Sequence, residues 1–149
     1  MSIKTAGEIA ILRQGGVKLA RVRDALAEAA KPGVALQELD QLARSLFKDV
    51  GGEPAFLGYR PAGAQKPYTA AICASVNEVI VHGLPGAYRL RQGDLLKIDL
   101  GLLYKNYYTD TAVTVGIGRV SASTEKLITA TKAALAAGVA ACLSGNTTG

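Results

Sequence analysis

Apolar residues in the first fifty positions recur every three or four residues, which predicts two amphipathic helices. The first begins at a capping box formed by Thr5 and Glu8. It ends before Pro32 and Gly33, because proline cannot continue a helix and glycine readily adopts a left-handed cap. The second helix is predicted to end at the glycine pair 51–52. Its apolar face comprises Leu36, Leu39, Leu42, Leu46 and Val50. Each helix is apolar on one side only, so each must cover another part of the fold.

The helical periodicity stops after residue 52, where glycines and prolines become frequent. We expect a loop over residues 53–67. Small and β-branched residues then predict two short strands, over residues 69–76 and 78–81. The composition of residues 82–86, His-Gly-Leu-Pro-Gly, predicts a turn.

A β-hairpin is the strongest signal in the second half of the sequence. Its strands are predicted over residues 95–103 and 107–117, joined by Lys105 and Asn106, since asparagine tolerates the left-handed backbone of a tight turn. A final helix is predicted with Ser123 as its N-cap. Its expected buried face comprises Ile128, Thr131, Leu135, Val139 and Cys142. This element order predicts an α+β fold, an antiparallel sheet covered by helices.

The 149 residues are enough for one domain, residues 1–149, and too few for two ordinary ones. An apolar content of 49% with 19% charged residues excludes intrinsic disorder. The longest apolar runs fall short of the roughly 20 residues that a membrane helix needs. No apolar signal segment begins the sequence, and two cysteines make no disulfide framework, so we expect a cytoplasmic protein.

The net charge is +5, from 17 Lys and Arg against 12 Asp and Glu, which raises the question of nucleic-acid binding. The basic residues form no run or stripe, and a protein that follows a phosphate backbone needs one. An ordinary, mildly basic surface is the simpler interpretation. We therefore expect neither a direct nucleic-acid site nor a membrane contact.

Two aspartates fall on one face of the predicted hairpin. With a two-residue turn, Asp99 pairs with Ala112 and Asp110 pairs with Gly101. The two carboxylates then stand diagonally, about 7–8 Å apart at the backbone. Polar residues that alternate along a hairpin usually face water, which is one interpretation. The other is a carboxylate pair for hard or borderline metal ions, with room left by the glycine and the alanine opposite.

Two further side chains have chemistry to offer. His82, the single histidine of the sequence, is either a solvated turn residue or a group that transfers protons near neutral pH. Cys73 is flanked by apolar residues, and no obvious base lies near it in the sequence. That pattern favours a buried, inert thiol over a nucleophile.

Three segments resemble, in order and in spacing, the active-site motifs of type I methionine aminopeptidases. They are SVNEVIVHGLP at residues 75–85, GDLLKIDLG at residues 93–101 and YTDTAVT at residues 108–114. The opening helices and the Lys-Pro-Gly-Val stop also match, so the resemblance covers essentially the whole chain. It implies the pita-bread fold of metallopeptidase family M24, with this chain as its N-terminal half.

The resemblance implies a metal-dependent removal of methionine from the N-termini of nascent polypeptides, reached at the ribosome. Two divalent ions would take part, with Asp99 binding one and Asp110 bridging both; Co, Mn, Fe and Zn all stay open. His82 would be catalytic, because it would contact the substrate and help proton movement. The methionine side chain would lie against Phe56, Tyr59, Tyr68 and Cys73. Phe56 stands where some relatives carry a smaller residue.

The family completes its site with a further histidine and two glutamates, downstream of the three motifs. We therefore expect this chain to be the N-terminal part of a single, truncated catalytic domain that binds metal weakly and is inactive alone. Uncovered sheet edges and helix faces would also favour poor solubility or self-association. The full-length enzyme would be a monomer.

Two alternatives stay open at this point. Xaa-Pro aminopeptidases usually follow their second aspartate with threonine and arginine, whereas Asp110 is followed by Thr111 and Ala112. A non-enzymatic binding protein on the same scaffold would typically lose metal ligands, whereas both aspartates are retained here.

Overall fold

The computed structural model describes residues 3–147, within which three helices and four strands form. In chain order these are α1 (Ala6–Ala29), α2 (Leu36–Asp49), β1 (Glu53–Pro54), β2 (Cys73–Val76), β3 (Leu95–Tyr104), β4 (Tyr107–Gly116) and α3 (Ala122–Ala141). The predicted α+β class is confirmed. Within residues 3–147, no helix is both long and apolar enough to cross a membrane.

Helix α1 begins with the cap that its sequence encodes. The Thr5 hydroxyl accepts a hydrogen bond from the Glu8 amide at 3.3 Å, and the Glu8 carboxylate accepts one from the Thr5 amide at 2.7 Å. The predicted capping box is therefore confirmed. At α2, the Glu38 carboxylate accepts a hydrogen bond from the Ala35 amide. Gly51, with φ at 68°, ends α2 as predicted.

Strand β3 is the centre of the sheet. Along one edge it pairs with β4, and along the other it pairs with β2 and with the two-residue β1, always antiparallel. Helices α1 and α2 pack with the sheet around one apolar core. Its fully buried side chains include Leu19, Leu26, Phe47, Ile98 and Leu100. Because side chains alternate along a strand, the residues between the core positions of β3 project from the opposite face.

The hairpin turn forms where the sequence predicts it. Lys105 and Asn106 both have positive φ, 49° and 66°, the left-handed conformation that a type I′ turn requires. Ten residues of β3 pair with ten residues of β4. The register of the whole hairpin therefore follows from these two turn residues.

Strand β2 is shorter than the prediction over residues 69–76, because a buried carboxylate takes up the backbone that precedes it. Asp40 of α2 accepts hydrogen bonds from the amides of Ala71 and Ile72, at 2.7 and 3.2 Å. Arg44 pairs with the other Asp40 oxygen at 2.8 Å and donates to the Thr69 carbonyl. These contacts attach residues 69–72 to α2, so the strand starts only at Cys73.

The strand predicted over residues 78–81 is wrong, because the chain turns at Asn77. That residue has φ at 50°, and its side chain donates to Asp94 at 3.0 Å and accepts from the Leu95 amide at 2.9 Å. The turn carries the chain away from the sheet, so β-branched Val79 and Ile80 stay exposed. The turn predicted over residues 82–86 is irregular backbone of the same loop. Conversely, the loop predicted over 53–67 contains β1.

Helix α3 begins two residues earlier than predicted and lies on the surface. Its N-cap is Ser121, whose hydroxyl accepts a hydrogen bond from the Thr124 amide at 3.2 Å, so Ser123 lies inside the helix. The predicted buried face is also wrong, since none of the helix residues described is buried. Ile128 is half-buried, whereas Thr131, Leu135, Val139 and Cys142 are exposed. The helix contacts the fold mainly through β4, which leaves its apolar side chains uncovered.

Candidate metal centre and substrate cavity

The two aspartates of the hairpin lie on one face of the sheet. Asp99 pairs with Ala112 and Asp110 pairs with Gly101, so the predicted register is confirmed. The carboxylates are therefore diagonal neighbours, about 7–8 Å apart at the backbone, which is within reach of a shared cation. Asp99 is half-buried and Asp110 is exposed. The pair thus stands at the boundary between the sheet and an open space.

Gly101 makes room for one wall of that space. A Cβ at this position would lie 3.0 Å from the Ala55 Cβ and 3.0 Å from Cε1 of Phe56, so a side chain would force the Phe56 ring to move. The absence of a side chain on Gly101 therefore lets the aromatic ring approach the strand beside Asp110.

The electrostatics of the pair favour a bound cation. Burial raises the pKa of Asp99, the nearby Asp110 carboxylate raises it further, and His82 lowers it. A divalent ion beside Asp99 would relieve this effect, because it favours the ionised form of the carboxylate. The chemistry of the donors therefore fits a metal. Among residues 3–147, no cluster of three or more His, Cys, Asp or Glu side chains could hold one, so the pair is a partial ligand set.

His82 reaches the same space from the loop that follows β2. It has φ at 57°, an uncommon backbone for a residue with a side chain. Its neighbour Gly83 packs against β2 so closely that a Cβ there would lie 2.5 Å from the Ala74 carbonyl oxygen. Because Gly83 lies against β2, the preceding residue, His82, stands at the edge of the cavity beside Asp99.

One cavity of about 860 Å³ unites all seven residues that the sequence singled out. Its lining includes Phe56, Tyr59, Tyr68, Cys73, His82, Asp99 and Asp110. Tyr59 is 61% exposed and stands at the rim, whereas Cys73 is buried. The cavity thus places aromatic and sulfur-containing surface next to two carboxylates and an imidazole.

The Cys73 thiol is part of the cavity wall. Burial raises its pKa, a hydrogen bond with Tyr68 lowers it, and the negative charges of Asp99 and Asp110 raise it again. Burial also raises the pKa of Tyr68. Both groups are therefore neutral at physiological pH, and they offer a polarisable surface rather than a nucleophile.

Some lining residues were not singled out from the sequence. Pro61, Ala64 and Lys66 line the cavity from the loop between Tyr59 and Tyr68. The base of that loop is closed by hydrogen bonds from the Tyr68 amide to the Tyr59 carbonyl and from the Gly58 amide to the Tyr68 carbonyl. No sequence pattern indicates which face of an irregular loop approaches a distant strand, so these residues could be found only in three dimensions.

The profile described as metallopeptidase family M24 matches residues 10–149, and the chain belongs to that family. Among curated proteins, it is similar to the methionine aminopeptidase of Aquifex aeolicus, with 39% identity over 143 residues. The alignment covers 95% of this chain and 55% of that protein. The chain spans about half the length of the curated relatives it matches.

Solved structures of methionine aminopeptidases also resemble this chain. The methionine aminopeptidase of Thermotoga maritima matches with a TM-score of 0.83 and 32% identity, covering 91% of this chain and 52% of that one. The X-Pro aminopeptidase of the same organism matches with a TM-score of 0.66 and 21% identity, over 83% of this chain and 32% of that one, a likeness of fold alone. The chain has the architecture of the N-terminal half of a pita-bread fold. Membership of the family implies a divalent metal cofactor.

Proposed function

We propose that the chain provides the first half of a methionine aminopeptidase centre, which removes the initiator methionine from nascent proteins. The observation that carries the proposal is the cavity itself, in which the carboxylates of Asp99 and Asp110 and the imidazole of His82 meet an aromatic wall. The chain would form the N-terminal part of a single M24 catalytic domain. Its place of action would be the cytoplasm, at the ribosome, with the complete enzyme acting as a monomer.

Asp99 and Asp110 would hold the metal. Asp99, the better-buried carboxylate, and Asp110, the exposed one, would each supply oxygen ligands to the ions. Oxygen ligands of this kind do not discriminate sharply among Co, Mn, Fe and Zn, so the identity of the ions is set by other ligands and by availability. When bound, such ions supply a Lewis acid and an activated water for hydrolysis of the first peptide bond.

The wall of the cavity would bind the methionine side chain. Phe56, Tyr59 and Tyr68 offer ring faces and edges, and Cys73 offers a neutral thiol. Contact between a thioether sulfur and an aromatic ring contributes roughly 0.3–1.5 kcal/mol, so a flexible sulfur-containing side chain suits this wall. His82, at the cavity edge, would hydrogen-bond the substrate and move protons through a ring nitrogen.

Two carboxylates are fewer ligands than a pair of divalent ions requires. We therefore expect the 149 residues alone to bind metal weakly and to release no methionine. The alternatives predict other behaviour. An Xaa-Pro aminopeptidase would prefer a peptide with proline in second place, and a binding protein on this scaffold would need no metal for peptide binding.

Calorimetric titration of the chain with Met-Ala-Ser and with Ala-Pro-Ser, each with and without Co²⁺, separates the three functions. The proposal predicts binding of Met-Ala-Ser only, dependent on Co²⁺, and weakened by Tyr59→Ala. Tyr107→Phe is the matched control, because Tyr107 lies outside the cavity and hydrogen-bonds Glu8. A preference for Ala-Pro-Ser, or equal binding without metal, would contradict the proposal.

A further inference from the structure

The hydroxyl of Ser75 is buried beneath the loop that carries His82. Only 2% of Ser75 is exposed. Ser75 lies two residues after Cys73 on β2, so its side chain projects from the same face of the sheet as Cys73. The Ser75 hydroxyl accepts a hydrogen bond from the Gly83 amide at 2.9 Å. The residue next to His82 is therefore fixed to the sheet through this serine.

The carbonyl of Gly83 is fixed as well. It accepts a hydrogen bond from the Ala74 amide at 2.8 Å. The Tyr68 hydroxyl has one proton and lies between two carbonyl oxygens, that of Ile72 at 3.1 Å and that of Gly83 at 3.3 Å. Both polar groups of the Gly83 backbone are thus satisfied by β2 and by the wall of the cavity.

These contacts are the points at which the structure holds this part of the loop. The loop leaves β2 at Asn77, which is clamped to Asp94, and Val79, Ile80 and Val81 then run exposed. His82 itself is exposed and has a left-handed backbone. A left-handed residue persists only where its surroundings determine it, and the Gly83 contacts are the surroundings that the structure provides.

We propose that Ser75 is the positioning residue for His82: its buried hydroxyl, together with Tyr68, fixes Gly83 against β2 and so holds the imidazole beside Asp99. The role of His82 in this statement rests on the proposed function. Ser75 does not line the cavity and touches no substrate; it acts through the loop. The Ser75 hydroxyl is required because its removal leaves the Gly83 amide without a hydrogen-bond acceptor.

Amide hydrogen exchange of the complete 149-residue chain tests the attachment. In Ser75→Ala we expect the Gly83 amide to exchange about tenfold faster, while the amide of Ile98 in the core of β3 keeps its rate. Thr131→Ala is the matched control, because it removes a hydroxyl that donates to the Leu127 carbonyl on the surface helix α3. It should change neither amide. A uniform acceleration at Gly83 and Ile98 would overturn the proposal, since it would mark a general loss of stability.

The position of His82 has its own readout, because it is the single histidine of the sequence and its ring signals are unique in an NMR spectrum. Mn²⁺ bound at the aspartates should broaden these signals in the wild type and broaden them less in Ser75→Ala. Equal broadening in both proteins would overturn the proposal. If the wild type shows no broadening, the metal assignment fails, and Gly83 exchange alone decides the role of Ser75. If Ser75→Ala does not fold, Ser75→Cys replaces it, because a thiol is a weak acceptor of similar size. The Gly83 amide should again exchange faster while Ile98 keeps its rate, and an unchanged Gly83 rate would overturn the proposal.

Discussion

Asp99 and Asp110 stand on the same face of the β3–β4 hairpin, offset by two residues in the pairing, because the turn at Lys105 and Asn106 contains two residues. Burial raises the pKa of Asp99, the nearby Asp110 carboxylate raises it further, and His82, at the same edge of the cavity, lowers it. Ionised Asp99 therefore destabilises the metal-free chain, and a bound cation would relieve that destabilisation.

Replacement of Asp99 by asparagine should stabilise the metal-free chain at neutral pH. The folded-state pKa of Asp99 is raised, first by burial, so its ionised form is disfavoured in the folded protein. The stability associated with the neutral form is present below the unfolded-state pKa, about 3.9, and is lost as pH rises through the folded-state pKa. Thermal denaturation in EDTA should therefore give Asp99→Asn a higher Tm than the wild type at pH 7 and an equal one near pH 3. A lower Tm at pH 7 would contradict this reading of the site.

Gly101→Ala should damage both stability and the cavity. Its Cβ would meet Ala55 and the Phe56 ring at 3.0 Å, and such overpacking costs about 1–3 kcal/mol. Urea denaturation measures the change in the free energy of unfolding, and Met-Ala-Ser binding measures the displacement of Phe56. Gly16→Ala is the control, since nothing lies within 4 Å of its new Cβ and alanine in a helix stabilises by roughly 0.5–1 kcal/mol. Equal stability of the two variants would show that Gly101 is not crowded.

The chain should self-associate at moderate concentration. Its accessible surface is 9788 Å², whereas a compact monomer of 15.4 kDa exposes about 7,200 Å² by the usual scaling. The excess includes Leu135 and Val139 on α3 and Val79 to Val81 in the loop after β2. Sedimentation velocity should reveal concentration-dependent association. A monomer at every concentration, with a cooperative thermal transition, would contradict it.

Local signals in the sequence were sufficient for the elements that local chemistry determines. The capping box at Thr5 and Glu8 begins α1, and the two turn residues set the hairpin register that places Asp99 diagonally across from Asp110. The predicted strands 69–76 and 78–81 differ from the structure because contacts between residues far apart in the sequence set the ends of β2. Asn77 leaves the sheet because Asp94, 17 residues later, holds its side chain. β2 starts late because Asp40 takes the amides before it, 31 and 32 residues away.

The position of α3 illustrates a second limit. The sequence predicts Ser123 as the N-cap of α3, whereas the N-cap in the structure is Ser121. The apolar residues of α3 have helical spacing, but this spacing predicts a buried face only if another surface is present to cover the helix. The roles of His82 and of the cavity wall stay predictions, although the structure brings these residues together.

If Asp99 and Asp110 together bind a divalent ion, a Co²⁺ titration of the metal-free chain followed by calorimetry will detect it. We expect weak binding that falls at least about tenfold, or about 1.4 kcal/mol, in both Asp99→Asn and Asp110→Asn. Asp24→Asn, a change at an exposed carboxylate paired with Arg23, should leave the affinity unchanged. Equal Co²⁺ affinity in the wild type and in Asp110→Asn would show that the two aspartates do not share an ion.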